Sequence, residues 1–360
     1  MTTVELAAGD EARIEAFAGT LFAAGLGAME LANVELGLRL GLYAALLNQP
    51  RTAADLAGAT GVHPRYAREW LEQQAVAGVL DVDPAQPEAD RVFTLPAAHA
   101  HVLLDDDSDA CMKPVAGVIA WLGPTLELMQ REFHAGRGVA FGEFGLEDIQ
   151  AGFTRPVFEN HLVQTWLPAI PEVQTKLTNG EPLRIAEVGC GEGLAAIRIA
   201  REYPNVTIDG YDLDPVSIDK ARAAASRAGV ADRVTFHLAD AGQIEDAPSD
   251  LVLAIEMLHD VPNPVEVLTN ARRLAGAQGV VIVVDERTED RFAVPASELE
   301  RLFYTFSTLH CLAVSMQDGG AATGTVMRSD TVRKYAEAAG FATVEVLDVE
   351  HPQFRLYRLG

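Results

Sequence analysis

Cysteine is scarce in this sequence and badly spaced for cross-links or metal. Its three cysteines, Cys111, Cys190 and Cys311, stand far apart. They form no pair of zinc-ligand spacing and are too few for a disulfide framework. A reducing cytoplasm is the expected compartment. No His-Glu-x-x-His, paired-cysteine or calcium-loop motif is present, so no metal is expected. Basic residues are also short, with 28 Lys and Arg against 52 Asp and Glu, a formal net charge of -24. A field of that sign repels phosphate backbones and anionic lipid, which argues against nucleic acid or a membrane surface as partner. The first residues are acidic and lack the basic-then-apolar order of a signal peptide. Glu30, Glu35 and Arg39 interrupt the apolar stretch 26–47, against a membrane span there.

What is present is 49% hydrophobic over 360 residues, enough for two domains and a substantial core. Three segments are expected: a helical winged-helix and dimerisation domain over 1–105, a helical linker and pocket cover over 106–180, and an α/β domain over 181–360. Residues 10–48 predict two or three helices rich in Ala and Leu. Val34, Leu38, Leu42 and Leu46 recur every four residues, while Leu36, Leu40 and Leu47 cover another face. A helix apolar on several faces is buried on several sides, and a homodimer through these N-terminal helices is the expectation.

Residues 52–80 have a helix-turn-helix pattern. Thr52 can cap the first helix, Gly61 breaks it, and Pro64 suits the first turn of the second. A strand over Arg91-Val92-Phe93-Thr94 would complete a winged helix. Its basic residues are Arg65, Arg68 and Arg91, outnumbered by Asp55, Glu69, Glu72, Asp81, Asp83, Glu88 and Asp90. Phosphate contacts dominate affinity for DNA, and this surface offers few. The glycine-rich loop 136–145, with Phe141 and Phe144, reads equally as a mobile flap over a pocket or as an ordinary linker.

From residue 183 strands alternate with helices. Strands are expected at 183–187, 206–212, 234–238, 251–256, 280–285, 343–349 and 353–359. Such alternation implies a mainly parallel sheet with helices on both faces. Glu350-His351-Pro352 is too short for a crossover helix, so the last two strands should pair as an antiparallel hairpin.

The chemistry starts at Glu187-Val188-Gly189-Cys190-Gly191-Glu192-Gly193. Glycines after a strand let a ligand approach the backbone. Dinucleotide sites show Gly-x-Gly-x-x-Gly with a pyrophosphate at the helix N-terminus. Here the spacing is Gly-x-Gly-x-Gly, and the acid Glu187 precedes it. That acid disfavours phosphate and suits an ammonium or sulfonium group. Asp212 ends the next strand about twenty residues on, where an acid accepts from ribose hydroxyls; Asp214 fits the cap of the following helix. Asp240 ends the third strand, where it can accept from an adenine amino group. The fourth runs through Glu256 to His259-Asp260.

These segments resemble the successive motifs of class I S-adenosylmethionine-dependent methyltransferases, over roughly the C-terminal half. With its N-terminal half the chain resembles actinobacterial two-domain methyltransferases and, more distantly, plant and polyketide O-methyltransferases. The resemblance implies a Rossmann-like seven-stranded methyltransferase sheet, an α/β fold, beside an α-helical winged-helix domain. It also implies S-adenosyl-L-methionine as cofactor. Glu187, Gly189, Gly191 and Gly193 would surround its methionine part, Asp212 would hold the ribose, and Asp240 with Ala241 the adenine. Cys190, Leu213 and Glu256 complete the expected cofactor set.

In the O-methyltransferases that the chain resembles, a His-Asp pair after the fourth strand supplies the general base. His259 would take the acceptor's proton and Asp285 would orient its imidazole. The other role open to His259 is only to shape the pocket. Val261 stands where the family has tryptophan. Phe303, Tyr304, Phe306 and His310, with Trp166 and His161, are the expected walls of an apolar or aromatic acceptor pocket. A small-molecule acceptor methylated on oxygen is the expected function, with N- or C-methylation behind it. Two readings from other classes are a regulator that senses S-adenosylmethionine or a metabolite, and a nicotinamide oxidoreductase. The acidic helix-turn-helix opposes the first, and the glycine spacing with Glu187 opposes the second.

Overall fold

The computed structural model describes residues 6–7 and 9–360. The chain divides into two units, Met1–Ala120 and Trp121–Gly360, and the division falls inside the expected 106–180 segment.

In the first unit the region 10–48 is one long helix, Asp10–Arg39, and one short one, Leu42–Leu46. The long helix exposes Phe17, Leu21, Phe22 and Met29. By length and composition alone it is long and apolar enough to cross a membrane. Glu30, Glu35 and Arg39 interrupt the stretch 26–47 as expected. Those charges sit toward the helix's C-terminal end and leave residues 16–29 without a charge.

The helix-turn-helix forms as expected. The Thr52 side chain accepts from the Asp55 N–H and the Asp55 carboxylate accepts from the Thr52 N–H, a reciprocal cap for Ala53–Thr60. Pro64 opens the second helix, Pro64–Val76. Tyr43 and Trp70 meet edge to face at 5.0 Å in a core with Leu46, Leu71, Phe93 and Leu95. The expected strand 91–94 is reduced to two isolated pairings, Arg51 with Phe93 and Asp81 with Thr94. Pro84, Pro87 and Pro96 around it remove the N–H groups that a longer ladder needs.

The second unit is built on a seven-stranded sheet: β1 Leu183–Val188, β2 Val206–Asp212, β3 Val234–Leu238, β4 Leu251–Ile255, β5 Val280–Glu286, β6 Val344–Val346 and β7 Phe354–Leu359. Its order is β3-β2-β1-β4-β5-β7-β6. The first five strands run parallel, and β7 is antiparallel to both β5 and β6. β4 and β5 are buried along their whole length, which is why their sequences read as unbroken apolar runs. Helices on the two faces give two cores, one around Trp166, Ile185, Ile208 and Leu356, the other around Val188, Val252, Leu268 and Val332. The closing hairpin forms as expected, but β6 covers only part of 343–349. It is the outermost strand, exposed toward its end, with no second neighbour to extend its pairing.

Candidate active site

β1 and β4 are neighbours in the sheet, but the chain leaves β1 toward β2 on one side and returns through β4 on the other. The carboxyl ends of strands at such a switch point form a crevice where ligands bind in open α/β sheets. A cavity of about 830 Å³ opens there. Its wall includes every residue of the expected cofactor set except Gly193: Glu187, Gly189, Cys190, Gly191, Asp212, Leu213, Asp240, Ala241 and Glu256.

The glycine turn has separable reasons for its glycines. Gly191 has φ +50, and a Cβ there would meet nothing within 4 Å, so protein leaves that space open beside the cavity. Gly193 has φ +75, and a Cβ there would lie 2.3 Å from Cζ of the buried Phe236. Gly193 therefore lets the helix Leu194–Glu202 pack on the sheet and does not itself border the cavity.

Asp212 ties β2 to the glycine turn. Its Oδ2 accepts the Gly191 N–H at 2.8 Å and its Oδ1 accepts the Asp214 N–H at 2.9 Å. Asp214 caps the helix Pro215–Ala228 by accepting from the Ser217 N–H, as expected. Leu213 is 66% exposed, an apolar side chain bordering the cavity between two acids. The Asp240 carboxylate accepts the Gly242 N–H at 2.9 Å, and Asn270 donates to the Ala241 carbonyl at 2.8 Å, fixing the turn after β3. Burial raises the thiol of Cys190 well above its ordinary range, with Glu187 and Asp212 adding to it.

Glu187 is buried at the end of β1, and its Oε2 has no hydrogen-bond partner. Burial pushes its carboxyl up to about 8, against a hydrogen bond from the Ala196 backbone. Glu256 follows β4 with φ +50, unusual for a non-glycine residue. Burial pushes it also to about 8, His259 pulling down and Asp285 and Asp260 pushing up.

His259 and Asp285 are brought together, with Nδ1 to Oδ1 at 2.9 Å. The imidazole itself does not border the cavity. It is 3% exposed, and carboxyl groups lie close to both ring nitrogens. Nδ1 also faces Glu286 at 3.1 Å, and Nε2 faces Asp260 at 3.3 Å. Burial alone would lower its pKa, but Glu286, Asp285 and Asp260 outweigh that and raise it well above the usual value. His259 thus sits enclosed by the carboxyl groups of Asp260, Asp285 and Glu286. His259 with Asp260 and Cys311, and His259 with Asp285 and Glu286, group ligand-type atoms within 4.8 Å; these atoms are taken up in the contacts around the imidazole. The member of the pair that reaches the cavity wall is Asp260.

The expected acceptor walls are largely displaced. Trp166 packs on His351 and Phe354 in the core, and His161 on His351. Phe306 contacts Trp121 and Phe153, and Tyr304 contacts Phe292. His310 lies among Trp121, Phe141 and Phe144, whose ring is 4.5 Å away. Neither these nor Phe303 border the cavity. Trp166, Phe303 and His310 are buried among their own neighbours, while Tyr304 is exposed. The wall is instead formed by Glu147, Gln150, Ala151 and Thr154 of the helix Glu147–Val157, with Phe158 just beyond, by residues 140–143 of the glycine-rich loop, and by Val314 and Gln317. The helical members recur at steps of three and four, a one-sided stripe that was available in the sequence. The loop is tied in by the Val139 N–H donating to Ala313 O at 3.0 Å. Among the described residues no lysine, arginine or histidine borders the cavity.

The raised groups predict a pH effect on the unliganded protein. Glu187 and Glu256 titrate higher folded than unfolded, so the stability they contribute is complete below about pH 4.5 and is lost as pH rises through about 8. His259 has the same sign, its share being lost above about pH 6.5. Thermal unfolding followed from pH 6 to 9 is expected to show the melting temperature falling steadily, by about 5 °C or more. A flat or rising profile would count against these buried assignments.

Residues 180–340 match a methyltransferase domain family, and residues 28–104 match the Rv2258c-like winged HTH domain. The chain is similar to a 27-O-demethylrifamycin SV methyltransferase of Amycolatopsis mediterranei, 35% identical over 104 residues, 28% of this chain and 38% of that protein. It is also similar to a mitomycin biosynthesis 6-O-methyltransferase of Streptomyces lavendulae, 24% identical over 275 residues, 74% of this chain and 76% of that protein. The matched part thus spans little more than a third of the first relative and about three quarters of the second. Human N-acetylserotonin methyltransferase, solved in complex with S-adenosylmethionine, shares the fold with a TM-score of 0.64 at 16% identity, over 99% of this chain and 100% of that one. Fold, cavity and matched families agree: the chain carries a methyltransferase domain over residues 180–340, with a winged helix-turn-helix domain before it.

Proposed function

We propose that this chain transfers a methyl group from S-adenosylmethionine to a hydroxyl oxygen of a small organic acceptor. The observation that carries the reading is the single cavity at the switch point that gathers Glu187, the glycine turn, Asp212 and Asp240. The residues suit the cofactor. The unpartnered buried Oε2 of Glu187 can take its ammonium group, and the open side of Gly191 admits its backbone approach. Asp212 can accept from the ribose, while Leu213 offers an apolar face to the adenine beside Asp240 and Ala241. When bound, the cofactor supplies an electrophilic methyl group on a positively charged sulfur. The chain's part is to align the acceptor and exclude water, with Gln150, Thr154 and Phe158 facing it. Among the described residues the wall carries acids and no basic side chain, which opposes a carboxylate or phosphate acceptor. Similarity to enzymes named for rifamycin and mitomycin supports oxygen as the methylated atom.

Calorimetric titration with S-adenosylhomocysteine beside NAD tests the reading. Micromolar binding of the first and no response to the second is expected. Well-folded protein that ignores S-adenosylhomocysteine would sink it, and DNA binding would then be measured.

The same reading extends to the whole chain as a cytoplasmic homodimer without nucleic acid or membrane partners. Arg65, Arg68 and Arg91 each pair with a carboxylate, of Glu69, Glu88 and Glu72, which leaves little free positive charge for a phosphate backbone. Phe17, Leu21 and Phe22 on the long N-terminal helix are the exposed apolar surface a second copy would cover. Light scattering is expected to give a dimer, and Leu21→Glu with Phe17→Glu a monomer. A monomeric native protein would refute the dimer.

A further inference from the structure

We propose that Lys220 is a positioning residue of the cofactor site. Its ammonium group clasps the helix that covers the cavity to the glycine turn that lines it, and so slows release of the cofactor. The assignment rests on the methyl-transfer reading above.

The cavity has two sides that are distant in the sequence. One is the carboxyl edge of the sheet, with Gly189, Gly191 and Glu192 of the turn after β1. The other is the helix Glu147–Val157, which supplies Glu147, Gln150 and Ala151. A ligand lying on the glycine turn is enclosed only while that helix stays over it. The far end of the helix is anchored. It continues into Phe158–Trp166, where Glu159 pairs with Arg198 and Arg201 of the helix Leu194–Glu202 and Trp166 lies in the core. Asp148 stands in the first turn, at the other end.

Lys220 ties that end down. It sits in the second turn of the helix Pro215–Ala228, which Asp214 caps after β2. Its Nζ donates to Asp148 Oδ1 at 2.6 Å and to Glu192 Oε1 at 2.8 Å. The cover helix, the glycine turn and the helix after β2 thus meet at one ammonium group. Lys220 lies 72 residues from Asp148 and 28 from Glu192 along the chain. Neither Lys220 nor Asp148 borders the cavity, so both act on a ligand there only through the parts they join. The loop before the cover helix also rests on this region: a Cβ on Gly142 would lie 3.3 Å from Asp214 Oδ1.

The chemistry suits a clasp that opens. A lysine ammonium carries its donors on a flexible stem, and here it shares them between two carboxylates in charge-assisted bonds. The Asp148 side chain is 86% exposed, that of Glu192 only 19%. Water and salt therefore reach the Asp148 contact first, and an exposed pair of this kind is modest in strength. That contact is the one that breaks, leaving Lys220 on Glu192 and the first turn of the cover helix free to lift.

The test follows release of labelled S-adenosylhomocysteine into an excess of unlabelled ligand, at about 20 mM and about 500 mM salt. Lys220→Met and Asp148→Asn are each expected to speed release about three- to fivefold at the lower salt. The double variant should be no faster than either single one, because with one partner gone the other holds nothing across the cavity. Native release should quicken by about the same factor at the higher salt, while Lys220→Met responds by less than about twofold. That variant also registers whatever salt does to the ligand's own contacts. Lys220→Arg keeps the charge and should stay within about twofold of native. Single variants that release at the native rate, single effects that multiply in the double variant, or native release indifferent to salt each overturn the proposal. Native protein that binds no S-adenosylhomocysteine overturns the cofactor reading beneath it.

Discussion

Gly193→Ala is expected to destabilise the protein by about 3 kcal/mol, lowering the melting temperature by roughly 6–12 °C. Two costs combine. Alanine at φ +75 adopts a left-handed conformation that an L side chain disfavours by about 1–2 kcal/mol. Its Cβ would also lie 2.3 Å from Cζ of Phe236, which is buried, and 3.1 Å from the Cβ of Ala221. The ring has no room to retreat, so the helix Leu194–Glu202 must shift instead. Gly191→Ala is the control. It pays the backbone cost at φ +50 but meets no atom, so it should lose only about 1 kcal/mol. Its Cβ would nevertheless stand beside the cavity, and S-adenosylhomocysteine affinity should fall about tenfold or more. Urea unfolding and calorimetry on the two variants separate the effects. Equal stability losses would mean that the two glycines do the same work, against the geometry.

Asp212→Ala is expected to weaken S-adenosylhomocysteine binding by about 10–100-fold, the range for losing hydrogen bonds to a charged group. The side chain acts twice. It is the proposed partner of the ribose, and it holds the glycine turn by accepting the Gly191 N–H at 2.8 Å. Asp212→Asn keeps an acceptor oxygen for one of these bonds and should fall between the alanine variant and the native protein. Binding unchanged in Asp212→Ala would remove this residue from the cofactor site. The measurement would then turn to Asp240 on the neighbouring strand.

Both predictions concern residues readable from local signals. A glycine turn after an apolar strand, and an acid closing the next strand, need only alternation and chain order to be placed. Strand period and turn chemistry are local, and the parallel sheet follows once strands and helices alternate. The reciprocal cap at Thr52 and the proline opening the next helix were legible for the same reason.

What the sequence by itself determined, then, was the order of elements, the sheet, and the acids and glycines at its carboxyl edge. Only the tertiary structure decided which side chains face the cavity and what charge they hold there. His259 is enclosed by Asp260, Asp285 and Glu286, and Asp285 and Glu286 come from another strand. Glu256 gains its raised carboxyl from burial, with Asp285 and Asp260 adding to it. Trp166 and His310 leave the expected acceptor wall for aromatic contacts with residues distant in sequence. Electrostatic environment and packing depend on distances between elements, and spacing along the chain does not fix those distances.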